Sequence, residues 1–342
     1  MTLTPATLTA EEVGAYLAAR GLVSSASSII ARPLGGGVSN VVLAASAGPL
    51  DVVIKQSLPR LRVDDEWLAK RERVLTEAAA LRLLGSLTPD RVPEVLDVDP
   101  DRFAITIARA PAGWVDWKTL LLAGDAGAGV ARELGHVLGA WHAGTWGSPD
   151  VRAAFDDLEA FEQLRVDPYY RTVMRRRPDL APAVGRRIER MGIARACLVH
   201  GDFSPKNVLV PQSPPTGAEG GRPLWVVDAE VAHFGDPAFD TGFMLNHLML
   251  KAIHRPDRRE AYRACALAFW TAYEESGARR AKQTDTLGHL ACLMLSRVHG
   301  KSPAEYLDGA GRSAAGRLGR ELLFRPPPTL EAAWERLEME AA

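Results

Sequence analysis

Two short runs of this chain carry residues suited to one kind of chemistry. In Leu198–Val210, Asp202 stands five residues before Asn207, with apolar residues on either side. About twenty residues later the apolar run Leu224–Val227 ends in a second acidic pair, Asp228 and Glu230. Phosphoryl transfer from ATP calls for these groups: one carboxylate to accept a hydroxyl proton, and an amide with carboxylates to hold Mg2+ on the phosphates. A lone His-Gly-Asp is ordinarily a loop aspartate bonding local amides; the asparagine and the second acidic run, in that order, argue for chemistry. Asp228 and Glu230 are two apart on an extended segment, so their side chains face the same way. Upstream, Leu34–Asn40 holds Gly35, Gly36 and Gly37 between two strands. Glycines let backbone amides approach a phosphate, and Ser39 or Asn40 can add a donor. A three-glycine hairpin with no ligand is the alternative.

The elements that must position these residues follow from local pattern. Thr9–Glu12 has capping-box spacing ahead of Val13 and Leu17, which predicts an opening helix. Val41–Ala45 and the β-branched run Asp51–Gln56 read as strands around a turn at Gly48-Pro49. A helical pattern covers Asp65 to Leu84, and Val92–Val98 and Arg102–Ala108 read as two further strands. From Trp114 the character turns helical, with a strong helix over Val130–His142 and weaker ones over Asp156–Leu164 and Ala183–Met191. Short strands follow at Ala196–Val199, Val208–Val210 and Leu224–Val227, and the Pro- and Gly-rich Pro211–Pro223 reads as a hairpin loop. Helices are expected at Thr241–Ile253, Arg258–Ser276, Asp285–Val298, Ala314–Leu323 and Leu330–Met339. The break between the two characters falls at Arg109–Gly113.

Composition narrows the class. The chain has 342 residues, enough for two domains with full cores. A net charge of -1 gives no electrostatic case for nucleic acid or an anionic membrane. The first residues lack the basic region and apolar core of a signal peptide, and no apolar run approaches the roughly 18 residues of a spanning helix. Three cysteines, Cys197, Cys265 and Cys292, suit free thiols in a reducing compartment. The expectation is a soluble, cytoplasmic protein.

The two motifs, in their order and spacing, resemble the catalytic and metal-binding loops of the aminoglycoside phosphotransferase and choline kinase-like superfamily. These are small-molecule kinases with His-Gly-Asp where protein kinases carry His-Arg-Asp. The resemblance implies an α+β, bilobal, protein-kinase-like fold. Residues 1–110 would form a small antiparallel nucleotide-binding lobe, and residues 111–342 a mainly helical catalytic and substrate-binding lobe. It implies ATP and Mg2+ as cofactors and a small-molecule hydroxyl as acceptor.

Roles follow position by position. Asp202 becomes the base, a contribution of about 10²–10⁴-fold in rate, and His200 a loop-packing residue. Asn207 and Asp228 become Mg2+ ligands, and Glu230 a ligand of a second ion or of a metal-bound water. Asp-x-Glu is the form that methylthioribose kinases carry here, where aminoglycoside kinases usually have aspartate. Lys55 would contact the α- and β-phosphates. The match of Glu77 to the family's helix favours it over Glu72 as the partner of Lys55. Gly35–Gly37, with Ser39 and Asn40, would cover the phosphates. Asp240 would anchor the backbone of the catalytic loop and Asp236 cap a turn or helix. Lys206 fits two roles equally, stabilising the transferred phosphoryl charge or standing on the surface.

The resemblance spans Leu34 to Met244. Its N-terminal part looks most like methylthioribose kinase, through Val53–Arg62, Glu66, Trp67 and Glu77. The His200–Asn207 loop departs from that family, and no adjacent arginine pair lies where that family binds its sugar; Arg186-Arg187 and Arg279-Arg280 have other contexts. The expected function is therefore an ATP-dependent phosphotransferase acting on a hydroxyl of a sugar-like metabolite. The alternatives are an antibiotic-inactivating phosphotransferase and a non-catalytic nucleotide-binding regulator. Arg297 or Lys301 would line the substrate pocket, unless Leu295–Pro303 is only a helix end and turn. Residues 241–342 carry fifteen Lys/Arg against twelve Asp/Glu, a balance of +3, which weighs against a polycationic acceptor. His289, Cys292 and His299 share one side of a helix, but zinc needs a fuller ligand set.

Overall fold

The structure, a computed structural model, describes residues 7–26, 29–35, 37–62, 67–213, 223–277 and 279–340. It divides into two compact units. The first holds Met1–Ala112 together with Val227–Val231, a short return that a division at residue 110 does not contain.

In the first unit, helix α1 (Val13–Ala19) precedes strands β1 (Ile30–Pro33), β2 (Asn40–Ala47) and β3 (Leu50–Ser57). Helix α2 (Arg73–Leu87) and strands β4 (Val95–Asp99) and β5 (Ala104–Ala108) complete it. The five strands form one antiparallel sheet in the order β1-β2-β3-β5-β4. Alternation assigns the two faces of β3: Val52 and Ile54 join Leu8, Val13 and Leu17 in an apolar cluster, and Lys55 points to the opposite face. Arg20 at the end of α1 grips Asp97 of β4 with two bonds of 2.7 and 2.8 Å.

The helical pattern expected from Asp65 gives way to a later start. Asp65 and Glu66 lie outside the described residues, and the chain from Trp67 to Lys70 is not helical. It pairs with the segment after β3 instead, through Leu61 N to Trp67 O at 2.9 Å and Ala69 N to Pro59 O at 3.2 Å. Those bonds satisfy the backbone groups that a helix would have used, so α2 begins at Arg73.

The second unit opens with strand β6 (Trp114–Asp116), where helix was expected, then α3 (Trp117–Ala123), α4 (Ala128–Thr145), α5 (Pro149–Ala154) and α6 (Glu159–Phe161). The expected helix at Asp156–Leu164 continues as a π-helix over Glu162–Arg171 and then α7 (Thr172–Arg176). Pro168 lies inside it; a proline has no N–H for the ladder, and the wider turn accommodates its ring. Then come α8 (Ala181–Ile193) and strands β7 (Cys197–Val199), β8 (Val208–Pro211), β9 (Trp225–Val226) and β10 (His233–Gly235). Helices α9 (Pro237–His254), α10 (Arg259–Glu274), α11 (Gln283–His299), α12 (Gly309–Phe324) and α13 (Leu330–Glu340) close the chain.

β8 pairs with both β6 and β9, and β7 with β10, so the loop between β7 and β8 is held at both ends. Every residue of α9 from Pro237 to Ala252 is buried. Helices α4 and α10 approach closely through Gly135, where an added Cβ would lie 2.3 Å from the carbonyl oxygen of Phe269. All three cysteines are buried thiols. Among the described residues, no helix is long and apolar enough to cross a membrane.

Candidate functional site

In the first unit, two buried polar clusters form around the acidic run. Lys55 Nζ lies 2.7 Å from Glu77 Oε1 and 2.6 Å from Asp228 Oδ1. Burial alone disfavours the lysine charge, but Asp228, Glu77 and Glu230 outweigh it and hold the Lys55 pKa above its usual value. Burial pushes Glu77 upward, with Lys55 opposing. Glu72, the rival partner, stands at the N-cap of α2. Asp228 has φ 71°, a left-handed conformation rare outside glycine; such outliers persist where the surroundings over-determine them.

Glu230, expected as a ligand of a second ion or of a metal-bound water, has hydrogen-bond partners on both carboxylate oxygens. Its Oε1 accepts from Ser39 Oγ at 2.9 Å, and its Oε2 from Asn40 Nδ2 at 2.8 Å and from Arg73 Nε at 3.1 Å. Arg73 is fully buried and also donates to the carbonyls of Ser39, Leu58, Ala69 and Lys70. With both oxygens engaged by this network, Glu230 ties the glycine loop to the start of α2. Ser39 and Asn40, expected as phosphate donors, direct side-chain donors to this carboxylate. Gly35 and Gly37 flank Gly36, which lies outside the described residues. A Cβ at Gly35 would meet nothing within 4 Å, so no internal packing demands glycine there.

In the second unit, the loop from His200 to Asn207 is held from beneath. Asp240, in the first turn of α9 and fully buried, accepts from the backbone N–H of His200 at 2.7 Å and of Gly201 at 2.8 Å. His142 of α4 lies 3.4 Å from the same carboxylate through Nε2, and 2.8 Å from the Tyr273 hydroxyl through Nδ1. Asp236 caps α9 by accepting from Ala238 N, and its other oxygen lies 3.2 Å from His289 Nε2. With Nδ1 also 2.7 Å from the Tyr170 hydroxyl, the His289 imidazole is a core hydrogen-bonding group.

His200 stacks at 6.5 Å on Trp141, and its Nδ1 accepts from Asp202 N. Gly201 has φ 76°, which a side chain would strain. Three donors converge on Asp202 Oδ2: Arg165 at 2.7 Å, Lys206 at 3.0 Å and Asn207 Nδ2 at 2.8 Å. Asn207 Nδ2 also donates to the Asp202 carbonyl at 2.9 Å, which turns its Oδ1 the other way. Among the described residues, no three His, Cys, Asp or Glu side chains gather into a ready metal cage.

Within this unit Asp202, Lys206 and Arg297 line one pocket of about 490 Å³, with Lys118, Lys251 and Tyr306. Arg297 also donates to Ser302 Oγ at 2.7 Å. Sequence reasoning passed over Arg165, Arg73 and Lys251. Pro168, inside an otherwise helical stretch, was the available hint of the π-helix that aims Arg165. A lysine inside the apolar run Leu248–Ile253 was the hint for Lys251. Nothing local marks Arg73.

The sequence matches the phosphotransferase enzyme family over residues 30–283. A methylthioribose kinase of Bacillus mycoides is 22% identical over 368 aligned residues, covering 90% of each chain. One from Bacillus cereus is 24% identical over 279, covering 72% of this chain and 67% of that one. Among solved structures, a choline/ethanolamine kinase family protein from Mesorhizobium loti superposes with a TM-score of 0.51 at 19% identity, covering 96% of this chain and 99% of that one. An amicoumacin kinase solved with AMP-PNP, Ca2+ and Ami gives 0.52 at 16%, covering 96% and 100%. These likenesses establish a protein-kinase-like α+β fold. With a family match over most of its length and the His-Gly-Asp loop inside that match, this chain belongs to the phosphotransferase enzyme family.

Proposed function

We propose that this phosphotransferase moves the γ-phosphate of ATP to a hydroxyl of a small, sugar-like molecule, with Asp202 as the base. The observation that carries this reading is the setting of Asp202. It lies on a loop fixed by Asp240, and it lines a pocket of about 490 Å³, within the range of small-molecule sites. Arg165, Lys206 and Asn207 orient its carboxylate. In the reaction the acceptor oxygen forms a bond to the γ-phosphorus, the bridging oxygen leaves with ADP, and the hydroxyl proton passes to Asp202.

The first unit, with the residues expected to bind nucleotide, supplies Lys55 for the phosphates. Glu77 and Asp228 keep it charged and in place. Gly35, with open space where a side chain would stand, leaves room for its backbone amide to approach a phosphate. Within the first unit the Asp228 carboxylate is a hard oxygen donor of the kind Mg2+ takes, and phosphate oxygens and waters complete such a shell. It would hold Mg2+, which when bound neutralises phosphate charge. Glu230 serves the glycine loop.

The methylthioribose kinase relatives support a sugar-type acceptor, and the amicoumacin kinase's complex with AMP-PNP supports ATP. The test is multiple-turnover ADP release against a panel of sugars and antibiotics. Acceptor-stimulated release that Asp202→Asn abolishes is expected. Release that survives the substitution would remove Asp202 from its role.

A further inference from the structure

The same pocket carries a charge pattern that phosphoryl transfer does not use. Lys251 sits in α9 within a wholly buried run and is itself 0% exposed. Its ammonium donates to the carbonyl of His247 at 3.3 Å and lies 5.5 Å from the centre of the Tyr306 ring. Among the described residues, no carboxylate comes within ion-pairing distance of it. Arg297, half-buried, reaches the pocket from α11: Nη1 bonds Ser302, and its Nε, a buried atom, has no hydrogen-bond partner. The Tyr306 hydroxyl is likewise buried without a partner. Lys118 of α3 adds a third cation.

Against these stand two carboxylates. Asp202 is already met by Arg165 and Lys206, and Glu305 is exposed. His247 adds no charge, since burial and then Lys251, Arg297, Lys206 and Lys118 hold it well below its usual pKa. A buried ammonium costs several kcal/mol unless something compensates it. A leucine or methionine would fill the same place in α9 without that cost. Burial pulls the Lys251 pKa down to about 7, so the empty pocket holds it partly as the neutral amine, and an anion from outside the chain would restore its charge.

We propose that the acceptor is an anionic hydroxy compound, carrying a carboxylate or a phosphate beside the hydroxyl it offers, and that Lys251 and Arg297 bind that anion with help from Lys118 and Tyr306. Only the word acceptor rests on the proposed kinase reading; the anion site stands on the pocket itself. Polycationic antibiotics would be repelled from it.

The test uses the full chain and four probes: D-glucose, D-gluconate, D-glucose 6-phosphate and inorganic phosphate. Thermal shift is read for the parent, Lys251→Met, Arg297→Gln, the double variant and Lys55→Met. The anionic probes should raise the melting temperature and D-glucose should not; gluconate against the two phosphates tells carboxylate from phosphate. The shift should persist in Lys55→Met and vanish in the double variant. Loss of one charge-assisted contact should weaken anion affinity by about tenfold to a hundredfold. Equal response to D-glucose, no shift with any anion, or a shift that survives the double variant overturns the proposal. ADP release is measured in parallel: its absence with every acceptor counts against the kinase reading alone, because the thermal shift decides the anion site independently.

Discussion

Replacing Glu230 separates two roles that the Asp-x-Glu run leaves open. In the structure its carboxylate is nearly buried and pairs with Arg73, whose side chain is 0% exposed. Truncation to alanine removes the carboxylate that faces a buried guanidinium, a loss that typically costs about 3–5 kcal/mol because the remaining charge stays desolvated. The Ser39 and Asn40 donors lose their acceptor as well, but they share it with Arg73, so their contributions do not simply add. Glu230→Gln keeps an acceptor and loses the charge, and should cost about 1–3 kcal/mol. With a urea slope of about 2 kcal/mol/M, the alanine variant should unfold at a midpoint lower by roughly 2 M, and the glutamine variant by roughly 1 M. The Mg2+ dependence of ADP release, measured on the folded glutamine variant, should hardly move. A metal ligand would behave the opposite way. An unchanged urea midpoint, together with a tenfold or greater rise in the Mg2+ needed for half-maximal rate, would refute the assignment and restore Glu230 to the metal.

Four further outcomes are expected. Asp202→Asn should lower turnover by about 10²–10⁴-fold while calorimetry shows Mg-nucleotide affinity close to the parent's; turnover within a few-fold of the parent would remove Asp202 as base. Asp228→Ala should lose metal-dependent nucleotide binding, since it removes the carboxylate that meets Lys55 at 2.6 Å; unchanged Mg-ATP affinity would place the metal elsewhere. Asp240→Ala leaves two buried backbone amides without their acceptor, each worth about 1–3 kcal/mol, and should lower stability and kcat together with little change in nucleotide affinity; hydrogen exchange at His200 and Gly201 no faster than in the parent would contradict it. Burial, with Arg297 and Lys118 facing it and Asp116 opposing, pulls Lys251 down to about 7. Unfolded lysine titrates near about 10.4, so the unfolded chain binds more protons between those values. Stability of the ligand-free protein should therefore rise with pH from about 7 to about 10 and fall on acidifying. A Lys251→Met variant with an undiminished slope would count against this.

What could be read in advance, and what could not, divides by the range of the interactions. Strands β2 and β3 follow from apolar, β-branched runs around a Gly-Pro turn. The alternation of side chains along β3 that sends Val52 and Ile54 into the apolar cluster puts Lys55 on the opposite face, toward Glu77. Asp202 and Asn207 are local in the same sense: five residues and one short turn bring the amide onto the carboxylate. Asp240 was legible only through family resemblance, because its bonds to His200 and Gly201 span about forty residues. Helix α2 was expected from Asp65, earlier than it begins, because the backbone of 67–69 pairs with 59–61, which no local pattern announces. Glu230 shows the limit most clearly. Two residues from Asp228, it looks like a second ligand, and only Ser39, Asn40 and Arg73, arriving from 157 to 191 residues away, give both of its oxygens hydrogen-bond partners. Lys251 is the converse case. A lysine inside an apolar helix contradicts its surroundings within a single turn, and a local conflict of that kind is where function is expected to outweigh packing. Polar residues in apolar runs thus locate the demand for a ligand even when the sequence is silent about which partners will meet.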